Sequence, residues 1–236
     1  MEGWQETHMQ ALLQADSEAA VFAILSGIAS DIGFSYCAFG MRMPLPVSQP
    51  KLFTINNYSE AWQERYQRED YIRVDPTVAH GMRSVMPLVW SDDVFENARP
   101  LWEEARAHGL RVGWAQSCHD AQGVGGLLTL ARPDDMLCGA ELRANAPKMS
   151  WLVQAMHTFM ARLLVPKLMP EANSTLTARE VEVLRWTADG KTSREIGDIM
   201  GISEHTVNFH IKNSLLKLNA SNKTAGVIKA ALMGLL

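Results

Sequence analysis

Cysteine is scarce in this chain. Cys37, Cys118 and Cys138 are the three in 236 residues, and no C-x-x-C pair occurs. An odd count at wide spacing argues against a disulfide framework or a zinc ribbon and points to reduced, structural thiols. Long hydrophobic runs are missing too, none approaching the roughly 20 residues of a membrane span. The opening Met1-Glu-Gly-Trp-Gln-Glu6 lacks the charged-then-apolar order of a secretion signal. A cytoplasmic protein with no membrane partner is the expectation. Catalytic signatures are absent as well. The seven histidines form no HxH or HExxH motif, there is no GxSxG elbow, and Gly123-Val-Gly-Gly126 lacks the spacing of a GxGxxG or phosphate loop. Asp75 could serve as a general base, but no nucleophile or oxyanion set stands beside it in the sequence. No enzymatic function, cofactor or metal is expected.

Acid is missing from one segment. After Glu204 no Asp or Glu occurs, while Lys212, Lys217, Lys223 and Lys229 do. Charge is uneven along the chain. Residues 1–169 carry 14 Lys+Arg against 19 Asp+Glu, a net of −5, and residues 170–236 carry 8 against 7, a net of +1. The overall charge of −4 argues against a protein that coats nucleic acid generally. A local, salt-sensitive contact through the C-terminal segment fits better.

That segment, residues 176–236, reads as four short helices. Thr177-Ala-Arg-Glu180 and Thr192-Ser-Arg-Glu195 are capping boxes that open the first two. Gly190 suits a left-handed cap after the first. Gly201-Ile202-Ser203 is a three-residue turn with Ser203 as the next N-cap. The third helix follows from about Glu204 to Leu218, and Ser221 or Asn222 starts the fourth. Ile202, Val207, Ile211, Leu215 and Leu218 form an inward stripe at helical spacing. The opposite face shows Thr206, Asn208, His210, Lys212, Asn213 and Lys217, which can contact base edges and phosphates. Helix, Gly-containing turn, helix is the helix-turn-helix pattern, whose second helix enters the major groove. A small bundle with a solvated lysine face is the other reading of the same pattern.

The chain before it mixes helices and strands. Residues 5–33 read as two helices, broken at Asp16 or Ser17 and ended by Gly33. Strands are expected at 34–43, 51–56, 86–90, 111–118 and 125–132, the last two joined by the Asp120–Gly123 turn. Ser59 caps a helix from Glu60 to about Asp70, Asp75-Pro-Thr77 starts a short one, and Ser91 caps one running to Gly109. A long helix covers about 140–164. The expected fold is α+β: an N-terminal α/β/α sandwich around a five-stranded antiparallel sheet, then a four-helix helix-turn-helix domain. The domains are 1–164 and 176–236, joined by a linker at 165–175 that holds Pro166 and Pro170.

Polar-tipped aromatics concentrate in the first domain. Tyr58, Trp62 and Tyr66 recur every fourth residue, with Asp75 and Trp90 beyond them. Such a face offers apolar bulk with O–H and N–H donors, and a buried carboxylate demands donors in return. Either a core with satisfied hydroxyls or a cavity for an amide or ester with an apolar tail meets those demands.

Two stretches carry a family resemblance. Leu176-Thr-Ala-Arg-Glu-Val-Glu-Val-Leu-Arg-Trp-Thr-Ala-Asp-Gly-Lys191 and Ile202-Ser-Glu-His-Thr-Val-Asn-Phe-His-Ile-Lys-Asn213 resemble the DNA-binding domain of the LuxR family, with Glu180, Leu184 and Gly190 on its signature positions. The resemblance implies that Thr206, Asn208, Phe209, Lys212 and Asn213 face DNA, and Lys191, Thr192, Ser203 and Lys217 are further candidate DNA contacts. It also implies that the fourth helix contributes to a homodimer. Tyr58-Ser-Glu-Ala-Trp-Gln-Glu-Arg-Tyr66, Val74-Asp-Pro-Thr77 and Leu88-Val-Trp-Ser-Asp92 are similar to the autoinducer-binding domain of quorum-sensing members.

By that likeness the ligand is an N-acyl homoserine lactone. The Trp62 indole would donate to the lactone carbonyl. Asp75 would accept from the amide N–H, and Tyr58 and Thr129 would meet the amide carbonyl. Tyr66 and Trp90 would flank the head group and chain. Gly113 matches a family glycine, and Trp102 and Ala105 match lining positions. Ala38, Gly40, Leu52, Val78, Leu110 and Leu127 would wall the acyl chain. Gln63 stands where some members that prefer 3-oxo chains carry Arg, and Leu127 replaces a smaller residue. A medium chain without a 3-oxo group follows. The implied partners are double-stranded DNA with an inverted repeat and, for an activator, RNA polymerase. An orphan regulator answering another small molecule, or none, shares the same DNA-binding half. A receiver-domain input finds no acidic cluster at strand ends to support it.

Overall fold

The computed structural model describes residues 2–170 and 175–236, the first four of these by backbone only. Two helices open the chain, α1 (Glu2–Gln14) and α2 (Glu18–Asp31). Ser17 separates them by accepting from the Ala20 N–H as the N-cap of α2. Five strands follow: β1 (Tyr36–Arg42), β2 (Leu52–Asn56), β3 (Leu88–Val89), β4 (Val112–His119) and β5 (Gly125–Arg132). They form one antiparallel sheet in the order β2-β1-β5-β4-β3. Between β2 and β4 lie α3 (Glu60–Arg68), α4 (Pro76–Gly81) and α5 (Arg99–Ala107).

Side chains alternate across the pleat, so each strand serves both faces of the sheet. Cys118 and Gly126 face the long helix α6 (Gly139–Leu168), meeting Val153 and His157 there. Arg162 of α6 donates to the carbonyls of Leu12 and Leu13, which ties α1 to it. The opposite sheet face meets α4 and Trp90.

Three expectations are corrected here. The helix foreseen from Ser91 to Gly109 is split. Ser91 caps only a first turn, a 3₁₀ turn covers Glu96–Ala98, and α5 begins at Arg99 with Pro100 in its first turn. Proline lacks the N–H that an interior position would use, so it starts the helix instead of continuing one. The strand foreseen at 86–90 shrinks to Leu88–Val89, and Pro87 lies outside its ladder. The long helix runs four residues past Leu164. Pro166 falls in its last turn, where one lost bond is offset by burial of Val165 and Met169. Of the linker foreseen at 165–175, residues 171–174 lie outside the described residues.

The C-terminal helices are α7 (Ala178–Ala188), α8 (Ser193–Met200), α9 (Glu204–Lys217) and α10 (Lys223–Leu232). Both capping boxes form, with each Glu side chain accepting from its Thr backbone N–H. Val183, Ile196, Val207 and Ile211 make the core, with Trp186, Met200, Ile202 and Leu215 against it. The chain divides into two compact units, residues 1–42, 52–119 and 125–163 in one and 43–51, 120–124 and 164–236 in the other.

Candidate functional site

The sheet face toward α4 is built from small residues. Strand register aligns Tyr36, Ala131 and Gly113 in one row, Ala38, Thr129 and Ala115 in the next, and Gly40, Leu127 and Ser117 in the third. Six of these nine are Gly, Ala or Ser, so the sheet alone cannot fill the space up to the helices. Large side chains from the helices and loops close it. Trp90 lies directly on Gly113, where an added Cβ would sit 2.2 Å from the indole Cδ2. Trp90 is also joined to β4 by its own N–H, which donates to the Gly113 carbonyl at 2.9 Å.

Around Trp90 an aromatic cluster assembles. Phe95 stacks on Trp102 at 4.5 Å, and both meet Trp90 edge-on. The Trp102 indole donates to Asp92 Oδ1 at 2.7 Å, so its polar atom is turned out of the cluster. Trp62 is buried among Tyr66, Tyr71 and His108, with ring centroids 5.4–6.1 Å away. Tyr58 meets Tyr36 at 6.1 Å. The buried Trp90 Nε1 has no hydrogen-bond partner among the described residues.

Asp75 is the polar centre. As N-cap of α4, its Oδ1 accepts from the Thr77 N–H at 2.8 Å and the Thr77 hydroxyl at 2.7 Å. Its Oδ2 accepts from the Tyr66 hydroxyl at 2.9 Å. A carboxylate oxygen can accept more than one bond, so Oδ2 retains capacity for another donor. Burial pushes the Asp75 carboxyl above its usual range, and the Thr77 and Tyr66 bonds hold it partly back. Burial likewise pushes up the Tyr58 and Tyr66 phenols, the latter reinforced by Asp75, so both remain hydroxyl donors.

The structure brings Tyr58, Trp62, Tyr66, Trp90, Trp102, Ala105 and Leu110 into one cluster. Asp75 joins it through Tyr66, and Gly113 through Trp90. Ala38, Gly40, Leu127 and Thr129 share the small-residue sheet face. Val78 is half-buried on α4. Leu52 departs from the expectation. It pairs with Arg42 at the end of edge strand β2, one row beyond Gly40, and is 54% exposed. Sequence reasoning missed Tyr71, Phe95 and Thr77. Thr77 had a readable signal, because a hydroxyl two residues after an N-cap Asp can bond back to it.

The second site is the outer face of α9. Gly201 adopts φ +67° to end α8, and the turn packs on Gly197, where a Cβ would lie 2.7 Å from the Ile202 carbonyl. Asn208, Phe209 and Lys212 are exposed, and Thr206 and Asn213 are half-buried. Ser203 and Thr192 spend their side chains as helix caps.

Three of the four lysines of the acid-free run are engaged within the protein. Lys217 Nζ lies 2.7 Å from Oε2 of Glu180, a buried residue of α7. Lys229 donates to the carbonyls of Leu218 and Asn219, closing the end of α9. Lys223 donates to Ser193 Oγ. Burial opposes the Glu180 charge, but the Lys217 and Thr177 bonds outweigh it and hold the carboxyl below its usual range.

A cluster of aromatic donors on an antiparallel sheet, together with a helix-turn-helix, is the arrangement of a ligand-responsive, DNA-binding regulator. Residues 17–160 match the autoinducer binding domain, and residues 174–230 match the bacterial regulatory proteins of the luxR family. The chain belongs to the LuxR family of quorum-sensing transcriptional regulators. It is 47% identical to the transcriptional activator protein AnoR of Acinetobacter nosocomialis, covering 100% of both chains. The crystal structure of Escherichia coli SdiA superposes with a TM-score of 0.83 at 36% identity, covering 99% of this chain and 98% of that one. SdiA in complex with octanoyl-rac-glycerol gives 0.81 at 35% identity, covering 99% and 95%. Among the described residues no helix is long and apolar enough to cross a membrane.

Proposed function

We propose that this regulator binds an N-acyl homoserine lactone of medium chain length without a 3-oxo group and, as a homodimer, binds an inverted-repeat promoter element. The observation that carries the ligand reading is the half-buried Asp75 carboxylate, anchored by Tyr66 and Thr77, with bonding capacity left on Oδ2. A neutral ligand with one amide N–H and several carbonyls is its complement. Asp75 takes the N–H, and Trp62, Tyr58 and Thr129 supply donors to the carbonyls. The tail lies over Ala38 and Gly40, where each buried CH₂ contributes roughly 0.8 kcal/mol.

Two features favour a plain, medium tail. Gln63 donates its amide to the Tyr58 carbonyl at 2.8 Å, so that donor is already engaged. Leu127 reaches across to α4, its Cδ1 lying 3.0 Å from the Cβ position of Gly81, and so closes the far row. On this reading the tail ends near that row, with Ala38 and Thr129 as its walls. The domain limits 1–164 and 176–236 follow the same division of labour. As an activator, the protein would also meet RNA polymerase.

The octanoyl-rac-glycerol bound by SdiA favours a second reading, in which the head-group site takes a non-lactone acyl ester. A thermal-shift titration decides between them. The full-length protein is titrated with lactones of short, medium and long chain, with and without 3-oxo groups, and with octanoyl-rac-glycerol. A saturable rise greatest for medium unsubstituted lactones is expected. A rise with the glycerol ester alone would establish the second reading, and no rise with any compound would leave an orphan regulator.

A further inference from the structure

Behind the exposed Asn208 on α9 stands a hydrogen-bonded chain that joins three helices. Lys223 Nζ, at the start of α10, lies 2.9 Å from Ser193 Oγ. Ser193 Oγ, on the first residue of α8, lies 2.8 Å from Asn208 Oδ1. Ser193 is 7% exposed. An ammonium only donates, so the serine oxygen accepts from Lys223. Its own proton then points to Asn208. That chemistry fixes which way the amide is turned. A flipped amide would aim two donors at one hydroxyl and leave the buried hydroxyl proton without an acceptor among the described residues.

We propose that Lys223 and Ser193 are positioning residues that lock Asn208 as a donor-only reader of DNA. An unconstrained Asn reads adenine with two bonds, donating to N7 and accepting from N6. Here Oδ1 is held inward by Ser193, so only the Nδ2 hydrogens are left for a base edge. Guanine presents acceptors alone at N7 and O6 and is the matching purine. The proposal rests on α9 being the helix that reads DNA.

The test is selection of binding sites from a random duplex pool by the full-length protein, run with and without N-octanoyl homoserine lactone. The native chain is expected to select a two-fold symmetric motif with guanine at one position per half-site, and Asn208→Ala to erase that preference. In Ser193→Ala the freed amide regains its acceptor, so adenine gains about tenfold over guanine at that position alone. Lys223→Met is expected to move the preference the same way. Asn208→Asp, still held by Ser193, presents an acceptor and should turn the preference to cytosine. An unchanged motif in Ser193→Ala and Asn208→Asp, with affinity lowered uniformly, would reduce the chain to a structural role and overturn the proposal. So would adenine at the Asn208-dependent position of the native motif, or no change with Asn208→Ala. Absence of any motif for the native protein in both conditions would instead sink the DNA-reading role of α9, and this inference with it.

Discussion

At the scale of the residue, the binding role proposed for Asp75 works against folding stability. Its carboxyl titrates above the ordinary value of 3.8 because burial penalises the charge. The unfolded chain therefore releases this proton at lower pH than the folded one. Stability falls as pH rises from about 3.8 through the folded value, and the penalty is fully present above it. Asp75→Asn removes the charge, and an asparagine can still cap α4. The unliganded variant is expected to melt at or above the native temperature at pH 7, with the difference closing as pH falls toward 4. Its ligand response should weaken about 10- to 100-fold, the worth of one charged hydrogen bond. Melting curves at several pH values and ligand titrations check both. A lower melting point at pH 7 would mean that the Thr77 and Tyr66 bonds outweigh the buried charge.

At the scale of the element, close approaches and cross-helix ties decide what a segment can do. Gly113 lets Trp90 lie flat on β4, and Gly113→Ala would drive a methyl into the indole. Overpacking of this kind costs about 1–3 kcal/mol, so a drop of several degrees in melting temperature is expected, with weaker autoinducer response as Trp90 shifts. The lysines of the C-terminal helices give a second case. Lys212 is exposed, with no partner among the described residues, so Lys212→Ala should lower the slope of log K against log salt by about 0.9 per protomer, about 1.8 for a homodimer. Lys217 holds α9 to Glu180. Lys217→Met should weaken DNA binding and stability together and leave that slope unchanged.

The lysine case also shows where the sequence is legible. Capping boxes, the Gly201 turn and the inward stripe of α9 are local patterns, and each appears in the structure as read. The sequence shows lysines without neighbouring acids. It does not show that Glu180 lies 37 residues away in the chain yet 2.7 Å away in space. Likewise, Tyr58, Trp62 and Tyr66 were readable from helical spacing, whereas Tyr71, in the turn after α3, and Phe95, before α5, join the cluster only because both segments fold against the same face. Leu52 was misplaced because register, which no single strand encodes, puts it beyond the last row.

At the scale of the whole molecule, the proposed ligand site and reading helix belong to different parts of the chain, so each is expected to be silenced alone. A ligand that binds only the folded state stabilises it by RT ln(1 + [L]/Kd), about 2.7 kcal/mol at a hundredfold excess over Kd. On the proposed reading that gain depends on Asp75 and its neighbours and not on Lys212. Lys212→Ala is therefore expected to show the native thermal shift at every lactone concentration while binding selected duplexes more weakly. Asp75→Asn should show the reverse where DNA is concerned. Its shift is reduced, yet at saturating lactone its duplex affinity and salt slope return to native values, because the ligand acts on the population of the DNA-competent state and not on the contacts of α9. The two variants measured side by side separate input from output. Equal loss of both functions in either variant would contradict the division. Failure of saturating lactone to restore Asp75→Asn would show that the carboxylate itself shapes the DNA-competent state.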